Sequence, residues 1–234
     1  MTIEVKFLGA ARTVTGSKYL ISNDSTKILV DCGMFQGPKE LTELNYEVFG
    51  FEPSELNYVV LTHAHIDHSG LVPRLIRKGF RGKILTTKAT MDLCKIMFID
   101  VAHIESIELE WRNRKRVRAG KEPLEPVYTV SDAEEAMKYF EVKEYNRFFE
   151  AGGFKIRFVD AGHILGSAIV ELNYKDKKKN KKLVFSGDIG NESQKILNDP
   201  AKLKEADYLF VESTYGDRLH KTRKETINEL IGII

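Results

Sequence analysis

A chain of 234 residues, 42% of them hydrophobic, can bury a full core as one large domain or two small ones. Lysine and arginine number 36 against 34 acidic residues, a net charge of +2, so bulk charge argues neither for nor against a polyanionic partner and any nucleic-acid surface has to be local. The two cysteines, Cys32 and Cys94, form no CxxC pair, which excludes a cysteine-based zinc knuckle, and no apolar run is long enough to span a membrane, so the expected compartment is a reducing cytoplasm. Residues 3–7 alternate apolar and polar as a half-buried strand does, and a loop follows between Gly9 and Gly16. Segments 19–21 and 27–30 read as a hairpin around Asn23, Asp24 and Ser25, the second strand stopping at Asp31. An aspartate at a strand end is either a turn former or a group that orients a metal-bound histidine.

Residues 56–61 read as a buried strand that runs into His63-Ala64-His65-Ile66-Asp67-His68. Three of the six histidines of the chain fall in this run, beside an aspartate. Imidazole and carboxylate are zinc ligands, and close spacing lets one loop present several of them to one ion. His63 and His65 alternate by two, so both point the same way from extended backbone, while Asp67 and His68 follow as the chain turns and can face a second ion. Leu71, Leu75, Ile76 and Phe80 then fall at helical spacing, with Asp67 or Ser69 as the expected cap.

A short strand at 83–86 precedes a helix expected over 90–116, with Cys94, Met97, Val101, Ile104, Ile107 and Trp111 as its core-facing stripe. Its end, with Arg112, Arg114, Lys115, Arg116 and Arg118, is either a solvated helix terminus or a phosphate-tracking patch. His103 lies beside the stripe and reads as an interior histidine with its polar atoms satisfied. Ser131 opens another helix in capping-box fashion, through Met137 and Phe140. Strands at 147–149 and 154–159 lead to His163, set between Gly162 and Gly166. Segments 168–174 and 181–185 pair across a lysine-rich tip, expected to be solvated, and the second ends just before Asp188. A last strand at 208–211, expected to be buried, ends on Glu212. Short strands, intervening helices and no repeats predict a layered α/β domain with two sheets.

Asp31, the 63–68 run, His163, Asp188 and Glu212 all lie at or just past predicted strand ends, which a sheet gathers together. Ligand counting gives a four-coordinate zinc His63, His65 and His163, and a second ion Asp67 and His68, with Asp188 as the carboxylate shared between them. Two ions about 3.5–4 Å apart would hold a hydroxide between them, as two-metal hydrolases do. Two dications, two aspartates, one hydroxide and neutral histidines leave roughly +1, a charge that attracts a phosphodiester.

The pattern His63-X-His65-X-Asp67-His68 resembles the metal motif of the metallo-β-lactamase superfamily, and Asp31, His163 and Asp188 match its other motifs in order. The run from Asp31 through Cys32, Gly33, Met34, Phe35 and Gln36 to Gly37 is similar to the first motif of the β-CASP branch of RNA-processing nucleases. Glu212-Ser213-Thr214-Tyr215-Gly216 resembles the acidic motif that opens the β-CASP part, and the surroundings of His103 resemble a run in bacterial members, which leaves a role near the site open. This resemblance implies a four-layer αββα fold, incomplete at the C-terminus, over residues 1–216, with 217–234 as the start of a β-CASP-type domain. It implies two Zn2+ ions, Asp31 as orienting group, Asp67 and Glu212 as catalytic residues, and single-stranded RNA as substrate, cut in endo or exo mode. Family members carry further histidines beyond this point, one completing the second metal site and one oriented by the acidic residue. Here His220 alone follows Glu212, and it reads as a surface residue. The expectation is therefore the N-terminal portion of a nuclease, with a weakly held second ion, slow or undetectable RNA cleavage and a tendency to homo-oligomerise. A metal-binding scaffold without turnover and a small-molecule hydrolase are the alternatives.

Overall fold

The structure, a computed structural model, describes residues 3–176, 179–219 and 221–234. The first sheet has six strands in sequence order: β1 (Glu4–Phe7), β2 (Tyr19–Ser22), β3 (Lys27–Val30), β4 (Tyr58–Val60), β5 (Lys83–Thr86) and β6 (Phe140–Val142). β1 to β3 are antiparallel and β3 to β6 parallel. The second sheet runs β11-β10-β9-β8-β7, from β7 (Phe148–Ala151), β8 (Phe154–Asp160), β9 (Ala168–Asp176), β10 (Lys179–Phe185) and β11 (Tyr208–Phe210). The helices are α1 (Lys39–Thr42), α2 (Ile66–Ser69), α3 (Val72–Arg77), α4 (Lys88–Arg118), α5 (Val130–Ala136) and α6 (Arg223–Ile233).

Strand alternation explains the layers. In β3, Ile28 and Val30 face the second sheet and pack with Phe154, Ile156 and Phe158 of β8, while Leu29 faces α3 and α4 with Leu75 and Phe98. A central strand covered on both faces must be apolar at every position, as 28–30 and 58–60 are. On the far side of the second sheet, Val159, Ile169 and Val184 are covered by Ala201 and Leu203, and α6 is exposed along its described length.

Several local expectations are corrected. The buried residues of α4 are Thr90, Cys94, Phe98, Ala102 and Leu109, whereas Ile104, Ile107 and Trp111 are exposed and Met97 and Val101 half-buried. A 31-residue helix is roughly 46 Å long, and its second half outruns the sheet it packs on. His103 is exposed, not interior. The basic helix end is a solvated face: Arg112 and Arg114 pair with Glu108 and Glu110 one turn earlier, and Lys115 lies over the Trp111 ring. α5 is capped by Thr129 rather than Ser131, through a reciprocal box with Asp132, and it stops before Phe140, which begins an unforeseen edge strand. β11 is exposed at Tyr208 and Leu209 because it forms the edge of its sheet. The β9–β10 tip at 177–178 lies outside the described residues.

Candidate metal centre

The chain leaves β4 still extended, so His63 and His65 project from one side of it before the backbone turns. The turn is α2, which begins at Ile66 inside the loop rather than after Gly70, and presents Asp67 and His68 from its first turn. Ser69 caps no helix because its hydroxyl donates to the Ala64 and His65 carbonyl oxygens. The segment after β3 runs alongside this loop: Cys32 N–H donates to His68 O (2.7 Å), Met34 N–H to Ile66 O (2.9 Å) and Ser17 N–H to Asp67 O (2.8 Å). The approach is so close that a Cβ on Gly33 would sit 1.6 Å from the Asp67 carbonyl oxygen. The loops after β8 and β10 meet similarly, Gly190 N–H donating to Ala161 O (2.9 Å), and a Cβ on Gly190 would lie 1.7 Å from Gly162 O. Backbone contact therefore brings His163 and Asp188 together, and Ala168 N–H, donating to Thr62 O (2.8 Å), ties them to the histidine loop.

His63, His65, His163 and Asp188 offer one donor atom each, all within 4.8 Å of one another. His65 Nδ1 is 3.1 Å from His63 Nε2 and 3.2 Å from His163 Nε2, and Asp188 Oδ2 is 3.6 and 3.5 Å from those same two atoms. Bonds of about 2.0–2.2 Å to a tetrahedral zinc place ligand atoms roughly 3.3–3.6 Å apart. The donor set fits such an ion. On the other side, His68 Nε2 is 3.1 Å from Asp188 Oδ1 and 3.9 Å from Asp67 Oδ2. The two oxygens of Asp188 thus face different imidazoles.

Asp31 sits behind this arrangement with φ 57°, a left-handed conformation that aspartate tolerates better than most residues. Its carboxylate accepts from Thr62 N–H (2.8 Å), from Thr62 Oγ1, and from His68 Nδ1 at 2.7 Å. The single proton of the Thr62 hydroxyl goes to Asp31, so Thr62 Oγ1 accepts from His63 Nδ1, 3.0 Å away. Both contacts put a ring proton on Nδ1, so the Nε2 lone pair of His63 and the Nε2 edge of His68 face Asp188. Burial pushes the His63 imidazolium down to about 4 and lowers His65 as well, leaving neutral rings. Burial acts the same way on His68, but Asp31 and Asp188 outweigh it and raise His68 to about 10. Burial opposes ionisation of Asp188 too, yet His63 and His68 hold it well below the usual carboxylate range.

Of the candidate residues, Asp31, His63, His65, Asp67, His68, His163 and Asp188 come together. Glu212 lines the same cleft, of about 910 Å3, but its carboxylate accepts from Ile189 N–H (2.6 Å) and so braces the Asp188 loop. No hydrogen bond joins Glu212 to a histidine among the described residues. His103 is not among the residues lining the cleft, and His220 lies outside the described residues. Sequence reasoning missed Thr62 and Ser17, the latter a donor to Asp31 at 3.4 Å; only the position of Thr62 beside His63 hinted at a role. Cys32 and Cys94 are buried free thiols, both pushed up to about 12 by burial.

Paired sheets with a histidine–aspartate centre past their strand ends define the class. Residues 12–231 match the family described as the Metallo-beta-lactamase superfamily, and the chain belongs to it. Over 226 residues it is 38% identical to Ribonuclease TTHA0252 of Thermus thermophilus, covering 97% of this chain and 47% of that protein. It is 31% identical to Transcription termination factor FttA of Methanocaldococcus jannaschii, covering 99% of this chain and 35% of that protein. It is 26% identical to Cleavage and polyadenylation specificity factor 73 of Drosophila melanogaster, covering 99% and 31%. The chain therefore spans about half the length, or less, of these relatives. No described helix is long and apolar enough to cross a membrane.

Proposed function

We propose that the chain carries the metal centre of a zinc-dependent phosphodiester hydrolase of the β-CASP type, acting on single-stranded RNA. The observation that carries this reading is the division of Asp188, with Oδ2 toward His63 and His163 and Oδ1 toward His68. One carboxylate shared between two donor sets is what a pair of cations requires. His63, His65 and His163 would hold the first ion, Asp67 and His68 the second, and Asp188 would serve both. Divalent ions there supply Lewis acidity and a nucleophile from water at neutral pH. Asp67 accepts the proton of the attacking water and aims it, and Asp31 keeps His68 in its orientation. Glu212 contributes by fixing the Ile189 amide beside Asp188. The names of the relatives support RNA as substrate over a lactam. Residues 1–216 form the metallo-β-lactamase-type unit in this reading, with 217–234 leading out of it.

The test is a zinc titration with 5′-labelled single-stranded RNA beside a nitrocefin-type lactam. RNA should be cut slowly, faster at the second equivalent of zinc than at the first, and not by Asp67→Asn. Lactam turnover with RNA left intact would overturn the reading in favour of a small-molecule hydrolase.

A further inference from the structure

A second cavity, of about 150 Å3, opens behind the segment after β3, on the helix-covered side of the first sheet. Its walls include the apolar Leu8, Phe35, Phe49 and Leu71 and the exposed Glu47, and Lys18 and Arg74 also line it, only 4% and 7% exposed. Lys18 Nζ donates to Gly33 O at 2.8 Å and lies 4.2 Å from the centre of the Phe35 ring. Arg74 donates to the Tyr46 and Glu47 carbonyl oxygens at 2.8 and 2.7 Å and lies 5.2 Å from the centre of the Phe49 ring. Among the described residues, no carboxylate comes within 4.0 Å of either head group. Two buried cations on one small cavity, with no carboxylate in direct contact, are an expensive arrangement, since carbonyl dipoles and ring faces offset only part of the desolvation. The cost is visible in Lys18, which burial and then the charge of Arg74 pull down to about 8. The ammonium is nonetheless the main form at neutral pH, with N–H donors to spare after Gly33.

We propose that this cavity binds a small tetrahedral oxyanion of the phosphate class between Lys18 and Arg74. A water occupies about 30 Å3 in the liquid, so the space admits such an ion, while drug-sized ligands need roughly 300 Å3 or more. Each terminal nitrogen of Arg74 keeps one N–H beyond those given to Tyr46 and Glu47, a charge-assisted donor for a phosphate oxygen, and the ammonium adds a point charge. The ion would neutralise both cations at once and sit behind the loop that carries Asp31.

The zinc-loaded chain, melted in sodium phosphate against sodium chloride of equal ionic strength at pH 7, tests this. The expected result is a melting temperature higher by about 3–6 °C at ten times the dissociation constant. Phosphate can also meet the metal centre, so the decisive quantity is the part of the rise lost on substitution. Lys18→Met should lose it and Lys18→Arg should keep it. Val48, 92% exposed at the rim, gives a variant that does not disturb the core. Val48→Glu adds a second carboxylate beside Glu47 at the opening and should also diminish that part of the rise. No rise in the parent chain, or an undiminished rise in Lys18→Met or Val48→Glu, would overturn the proposal.

Discussion

The two sides of Asp188 differ in how they balance charge. Facing Oδ2 are His63, His65 and His163, the first two held neutral by burial, with donor atoms already at the spacing of a tetrahedral ion. Facing Oδ1 is one imidazole, His68, between the carboxylates of Asp31, Asp67 and Asp188, with Asp67 as far as 3.9 Å away. His63 and His65 take a cation without releasing a proton. The other side, free of metal, keeps a proton on His68, so a cation there must displace it. Neighbouring sites built from the same loop can thus differ in affinity because of what lies behind the ligands.

The largest expected effect breaks the three-histidine side. The His63→Ala, His65→Ala double variant should fall from near one tightly held zinc per chain to near zero by elemental analysis. Its melting temperature should drop by about 8–16 °C, since metal a thousand-fold above its dissociation constant adds about 4 kcal/mol. Asp188→Asn comes next, and should weaken both sides by more than the roughly 10–100-fold that loss of an outer hydrogen-bond partner costs. Asp67→Asn should loosen the second ion alone. Zinc stoichiometry separates the two, and a variant pair with the reverse pattern would mean that Asp188 is not shared. Asp31→Asn keeps a residue that tolerates the left-handed backbone and removes the charge behind His68. It should cost about 10–100-fold at the second ion and far less at the first, read by competition with a metal indicator.

The smallest effect lies outside the centre and serves as its control. Lys18, lowered from 10.5 to about 8 in the folded chain, binds fewer protons folded than unfolded between those values. Its destabilising contribution is full below pH 8 and relieved as the pH rises toward 10.5. Relative to Lys18→Met, the parent chain should therefore gain a few degrees of melting temperature over that window, with zinc content unchanged. A flat difference would show that Lys18 is not desolvated.

The unbroken apolar run at 58–60 told of a buried strand, and the spacing of His63, His65, Asp67 and His68 told of clustered metal-donor side chains, because both properties are local. Periodicity says which residues share a face, not what lies against it. The expected stripe on α4 was therefore wrong beyond Ala102, where the helix runs past its sheet, and the same blindness put His103 inside and β11 under cover. Which histidine Asp31 would orient, and what Glu212 would bond, were equally out of reach: Asp31 joins His68 and Thr62, and Glu212 the Ile189 amide. Sequence by itself determined the types of donor side chain, their order along the chain and the strand ends that carry them. Tertiary structure alone decided that Asp188 lies between two imidazole sets and that Asp31 stands behind one of them. Those relations depend on backbone contacts between segments far apart in the chain, where Gly33 meets Asp67 and Gly190 meets Gly162, and no local pattern encodes such an approach.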